Sequence, residues 1–295
     1  MIATAALATL LAACSNDSDV FNTPDYADTP IGLNVNVSPM ATRAGYEQGA
    51  LTEGSFGLYL TTQDTEGDER YNCTNREVRY ESGWTIQGEQ LLWKSNDATV
   101  TYYAYLPYTG IVSDATNYAF TVQTDQSTED NVKASDLLCT GQQTAIPGTA
   151  LDITFKHALS KLNVTLKKGS ELEDGQNLTF TSVKLSNCAT ATTVNLTDGT
   201  TDTATKSQTI TLYAATANEK YECILVPQTF AQSLKVEITD DNGKVYTFTS
   251  NKDLTFASGK QYTLNLTVGR DKVTTGTISA ESWGEEQQGG DLVTE

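Results

Sequence analysis

A chain of 295 residues with 38% hydrophobic content is long enough to bury one large core or two ordinary ones. Its formal net charge of -18, with only 19% of residues charged, leaves no basic stripe to displace counterions from phosphates, which argues against nucleic acid as a partner. One histidine, His157, and five cysteines without a Cys-x-x-Cys pair argue against a zinc site, and the abundance of Thr, Ser, Asn and Gly favours strands and turns over helices.

Residues 1–13 form an apolar run too short to cross a bilayer as a helix, so they read as a signal-peptide core. No Lys or Arg precedes the run. It ends in Leu11-Ala12-Ala13-Cys14, which resembles the bacterial lipobox, where the cysteine receives diacylglycerol and becomes the mature N-terminus. Residues 14–29 then read as a tether, polar and acidic at Ser15-Asn16-Asp17-Ser18-Asp19.

In the next stretch Ile31, Leu33, Val35 and Val37 fall on one face of an extended strand, and Gly32, Asn34, Asn36 and Ser38 on the other. This is the pattern of a half-buried strand. Pro30 and Pro39 bracket it and suit a sheet edge, because proline has no N–H to give to a ladder. Arg43 follows alone in the small, polar loop Ala41-Thr42-Arg43-Ala44-Gly45. An edge strand between a lipid anchor and an exposed arginine is open to a trypsin-like protease, whose cut would leave an apolar groove for another subunit's strand. The plainer alternative is an ordinary first strand followed by a turn.

Further strands are expected at 55–61, around Trp84 and Trp93 within 78–93, and at 99–108, 118–122 and 153–166. The acidic stretch 63–70 lacks the ordered ligand series of a calcium loop and reads as a solvated hairpin. His157 lies in the last of these strands without a second histidine, so a structural role near a bulge is expected. Residues 167–177 are charged, carry glycines and read as a linker. Beyond them strands are expected at 178–186, 192–196, 208–213, 221–226, 234–239, 245–250 and 261–268, with the clearest hairpin around Asp240-Asp241-Asn242-Gly243-Lys244.

The count gives an all-β chain of two β-sandwich domains in tandem, 30–169 and 170–295. Within the second, the tail 275–295 carries Ile278, Ala280 and Trp283 and is suited to pairing with a sheet edge in its own molecule or in a neighbour. Cys73, Cys139, Cys188 and Cys223 either form two disulfides, in one of three connectivities, or are buried free thiols.

Six motifs recur in order along the chain. They are Ala41-Thr42-Arg43-Ala44, Tyr103-Ala104-Tyr105-Leu106-Pro107-Tyr108, Ser135-Asp136-Leu137-Leu138, Phe155-Lys156-His157-Ala158-Leu159-Ser160-Lys161-Leu162, Leu225-Val226-Pro227-Gln228 and Ser258-Gly259-Lys260-Gln261-Tyr262. Together they resemble the fimbrillin family of Bacteroidetes, the lipoprotein subunits of type V pili, and its Mfa-like branch in particular. The resemblance implies two transthyretin-like (Greek-key) β-sandwiches and an outer membrane lipoprotein at the cell surface, within a fimbrium. It implies acylation of Cys14, cleavage between Arg43 and Ala44 by an arginine-specific protease, and removal of the strand carrying Ile31, Leu33, Val35 and Val37. Its partners would then be other fimbrial subunits, joined by strand exchange in the service of adhesion, without cofactor, metal or catalytic residue.

Residues 15–19 also resemble an acidic surface-export signal of such lipoproteins, and Asp202-Thr203-Ala204 an O-glycosylation site. A second reading is a surface-anchored glycan-binding lipoprotein presenting Trp84, Trp93 or Trp283 to sugars. An enzyme is the weakest, as no nucleophile motif stands out.

Overall fold

Period-2 alternation of apolar side chains builds strands along most of the chain, and the computed structural model describes residues 24–38, 46, 49–63, 65, 67–170, 179–270 and 272–282. The strands begin with β1 (Leu33–Val37), β2 (Gly49–Ala50), β3 (Ser55–Thr62), β4 (Cys73–Tyr80), β5 (Trp84–Ile86), β6 (Val100–Leu106) and β7 (Tyr118–Thr121). A short helix, α1 (Glu129–Ser135), precedes β8 (Leu138–Cys139), β9 (Gln143–Ala145), β10 (Leu151–His157) and β11 (Ser160–Lys168). There follow β12 (Phe180–Val194), β13 (Thr205–Thr211), β14 (Tyr213–Thr216), β15 (Lys220–Leu225), β16 (Gln228–Phe230) and β17 (Lys235–Asp240). The described strands end with β18 (Val245–Thr249), β19 (Leu254–Phe256), β20 (Lys260–Val268) and β21 (Val273–Ser282). The all-β class expected from the sequence is what the structure shows, with α1 as the one helix among the described residues.

The first sheet has nine strands in the order β2-β1-β10-β8-β6-β3-β4-β5, with β9 also on β6. Its core joins Ile31, Val35 and Val37 to Phe56, Leu58, Leu60, Trp93, Ile153 and Phe155. Two five-stranded sheets, β14-β15-β11-β20-β21 and β13-β12-β17-β18 with β7 on β12, carry the second core. β3 serves both. Phe56, Leu58 and Leu60 face the first core, while Tyr59 faces the second and stacks on Tyr103 with ring centroids 4.5 Å apart.

The sheets do not divide at the linker. The expected single strand 153–166 is two strands, β10 in the first sheet and β11 in the second group, with the switch at Ala158 and Leu159. There the backbone changes partners, the Ala158 N–H donating to the Leu137 carbonyl at 2.9 Å and the Leu159 carbonyl accepting from Gly259 N–H at 2.8 Å. Two consecutive buried apolar residues break the alternation, because the chain leaves one core for the other. β7 likewise pairs with Ala191–Val194 of β12, and Gln126 exchanges hydrogen bonds of 2.8 and 2.9 Å with the backbone of Ile224. Residues 118–126 thus belong with strands far downstream, and β11 extends to Lys168 where the linker was expected to begin.

Two further expectations change. Residues 180–194 form one strand, bulged between Leu185 and Cys188, rather than two. The helix was not foreseen, although Thr128 caps it by accepting from Asn131 N–H at 3.3 Å and two acids occupy its first turn. The hairpin around Asp240 forms as expected, with Asp240 Oδ1 accepting from the N–H groups of Asn242 at 2.9 Å and Lys244 at 2.8 Å.

Cys73, Cys139, Cys188 and Cys223 are free and buried, which decides between disulfides and thiols. Burial pushes the thiols of Cys73, Cys139 and Cys188 up to about 12 and that of Cys223 upward as well. At pH 8 an alkylating reagent should therefore leave all four unmodified in the folded protein and label all four after denaturation, read by intact mass. Gly57 offers a packing test, since a Cβ there would meet Tyr105 Cε1 at 2.2 Å and Asn75 Oδ1 at 2.6 Å. The ring is pinned, its hydroxyl lying 2.8 Å from both Asn75 Oδ1 and the Thr109 carbonyl. Gly57→Ala should lower stability by about 1–3 kcal/mol in a denaturant titration.

Candidate functional site

The stretch before the arginine loop is held along both sides. Upstream, Asp28 N–H donates to the Trp93 carbonyl at 2.7 Å, Trp93 N–H to Thr29 at 2.9 Å, and Ile31 N–H to Leu91 at 2.9 Å. Downstream, β1 runs parallel to β10 in the register Leu33↔Leu151 to Val37↔Phe155, and Ser38 N–H closes the ladder on the Phe155 carbonyl at 2.9 Å. β2 pairs with the far side of β1 at Asn36 and Val37. The expected free edge is therefore a strand bordered on one side along its length and on the other at its end.

Its inward face is as the alternation requires. Ile31, Val35 and Val37 are buried, Leu33 is half-buried, and Gly32 and Asn34 are exposed. The slot thus takes three side chains fully and one in part, where four were expected. Burying three such side chains contributes roughly 5–9 kcal/mol as an upper bound. That is comparable to the whole net stability of a domain, about 5–15 kcal/mol. A strand of this weight does not leave by thermal fraying.

Arg43, Ala44 and Cys14 lie outside the described residues, as does Trp283. Of the other candidate aromatics, Trp93 is buried and Trp84 is half-buried. Trp93 is 1% exposed in the first core. Trp84 packs on Phe56 at 5.0 Å and donates its Nε1–H to the Leu51 carbonyl at 3.0 Å. A cavity of about 510 Å³ opens near the sheet switch, but its lining, which includes Thr140, Gln142, Lys156, Asp198 and Ser258, has no Trp, Tyr or Phe.

Two buried polar pairs flank that switch. His157 Nδ1 lies 2.7 Å from Asp136 Oδ1, with the two side chains 1% and 0% exposed. This is the structural histidine that was expected, and its partner, 21 positions earlier, carried no local signal. Lys161 Nζ lies 2.8 Å from Glu222 Oε2, equally enclosed. Burial pulls the Lys161 ammonium below the usual lysine range, while Glu222 and Asp136 pull it back. Both pairs are almost wholly enclosed, and His157 also borders the cavity. Among the described residues no group of three or more His, Cys, Asp or Glu could hold a metal ion.

Residues 42–283 match a family model described as fimbrillin-like. A protein of Bacteroides uniformis named as a candidate fimbrium subunit, Fim1C, is 27% identical over 292 residues, covering 96% of this chain and 94% of its own. Among solved structures, a candidate cell adhesion protein from Bacteroides ovatus aligns with a TM-score of 0.65 at 20% identity, over 88% of this chain and 100% of that one. Another from Bacteroides uniformis aligns with a TM-score of 0.63 at 22% identity, over 84% and 97%. At these identities the structures share the fold.

Placing a carboxylate in the slot tests the docking of β1. Val35→Asp should lower stability by about 3 kcal/mol, while Asn34→Asp on the exposed face should change it little. Thermal unfolding reads both, and equal melting of the two variants would place β1 outside the slot.

Proposed function

This chain belongs to the fimbrillin-like family, and from that premise we propose that it is a structural subunit of surface fimbriae that assembles by strand exchange. The protein is exported as a lipoprotein, acylated at Cys14, and held at the outer membrane. An arginine-specific protease then cuts between Arg43 and Ala44, and β1 is released. The observation that supports this reading is the slot: Ile31, Val35 and Val37 are buried on a strand joined to the rest of the sheet through the chain that carries Arg43.

Removal of β1 uncovers apolar pockets and leaves the β10 edge without its ladder partner. Water satisfies neither well. A strand from a sister subunit restores both, main-chain bonds supplying affinity and alternating pockets supplying register. Because donor and acceptor are different surfaces, the contact runs head to tail and builds a filament.

The tail 275–295 is the candidate donor. Its described part lies in β21, antiparallel to β20 at the end of a sheet, and none of residues 273–281 is buried. Ile278 and Ala280 only pack against the outside of the second core. β21 is held to β20 along a ladder of eight paired positions with little side-chain burial, so its hold is chiefly main-chain.

Brief tryptic treatment of the folded protein should cut first at Arg43 and yield ladders on a native gel. Arg43→Ala should remain whole and monomeric under the same treatment. Rapid cutting at other basic residues with Arg43 left intact, read by mass, would remove the support for strand release.

A further inference from the structure

Among the described residues β2 pairs with β1 alone, through Asn36↔Ala50 and Val37↔Gly49. Release of β1 therefore unpairs β2 entirely. Three contacts on either side of β2 do not involve β1. Tyr46, 7% exposed, donates its N–H to Asp136 Oδ2 at 3.3 Å. Leu51, also buried, accepts from Trp84 Nε1–H at 3.0 Å. Glu53 Oε1 pairs with Lys133 Nζ at 2.7 Å.

Two of these three anchors belong to α1, with Lys133 in its last turn and Asp136 as its C-cap. Asp136 is fully buried and its other oxygen meets His157 Nδ1 at the end of β10, the strand beside β1. One carboxylate thus joins the chain that follows Arg43 to the strand that forms the first wall of the slot. The Lys133–Glu53 pair is partly solvated and adds little, so of the two contacts to α1 the buried Asp136 one matters more, while Leu51 holds the other side of β2. The Tyr46 ring completes it, its hydroxyl lying over Gly54. Burial, and then the charges of Asp136 and Glu53, oppose ionisation of that hydroxyl.

We propose that α1 is a clamp that keeps Tyr46 and residues 49–53 seated when β1 departs, with Asp136 as the positioning residue, so that β2 remains as the second wall of the slot and pairs with the incoming strand. This rests on the reading that β1 is removed. Without the clamp the segment after the cut would peel away with its partner, and the incoming strand would meet β10 alone.

Hydrogen exchange read by mass spectrometry on the full chain, before and after tryptic scission at Arg43, tests this through peptides spanning 46–53. Wild-type protein should keep its protection there after the cut. Asp136→Ala should exchange about ten-fold faster in these peptides once cut, and should change little before, while β1 still pins β2. Where that variant does not fold, Asp136→Asn, which keeps the volume and an acceptor for Tyr46 N–H but removes the charge, should show a smaller loss in the same peptides.

Loss of protection in the wild type on cutting, or rates in the cut Asp136 variants equal to those of the cut wild type, would overturn the clamp. If Arg43 resists scission, strand removal fails as a reading. The clamp is then read in protein cut instead at a foreign protease site placed at residues 41–44: retained protection of 46–53 supports it and loss overturns it.

Discussion

The seating of β1 against β10 is the interaction on which the N-terminal half depends. Along five paired positions, from Leu33↔Leu151 to Val37↔Phe155, the chain closes a parallel ladder. It also fills the first core with Ile31, Val35 and Val37. Parallel pairing is slightly weaker per residue than antiparallel, so the side chains supply much of the hold. The same fact fixes the facing of β1, whose apolar groups stand at alternate positions of one face and its polar groups on the other.

The two cores are tied together at the sheet switch. β10 ends at His157 in the first sheet and β11 begins at Ser160 in the second group, so the chain crosses between cores in Ala158 and Leu159. A crossing this abrupt leaves backbone groups to be matched on new partners, and Leu137, Gly259 and the Ser258 hydroxyl, 2.7 Å from the Ala158 carbonyl, match them. The enclosed pairs His157–Asp136 and Lys161–Glu222 stand immediately before and after the crossing. A buried ion pair is weak evidence of added stability, because the cost of desolvation offsets its attraction. Asp136 has a second duty, because it also holds the backbone of Tyr46. The first core, the crossing and the segment after Arg43 therefore share one carboxylate.

Much of the slot was legible in the sequence. A period of two assigns Ile31, Val35 and Val37 to one face whatever lies opposite, and those three are buried. The Asp240 hairpin was legible for a similar reason, since its turn is bonded by neighbouring residues alone. The family resemblance, carried by motifs spread from Ala41 to Tyr262, agrees with the fimbrillin-like match over residues 42–283. Leu33, expected inside with the other three, is half-buried, although Ile31 and Val35 on either side of it on the same face are buried.

What the sequence determined by itself is local: which residues extend, which face of each strand is apolar, where a turn is bonded by its own side chains. Those properties follow from steric and hydrogen-bond preferences within a few residues. Only the tertiary structure decided that β1 pairs with β10, that β7 joins β12 about seventy residues downstream, that 153–166 is cut in two between cores, and that Asp136 meets both His157 and Tyr46. Each of these joins segments distant along the chain. Such pairings are chosen by how all the apolar faces close together at once, which no single stretch encodes.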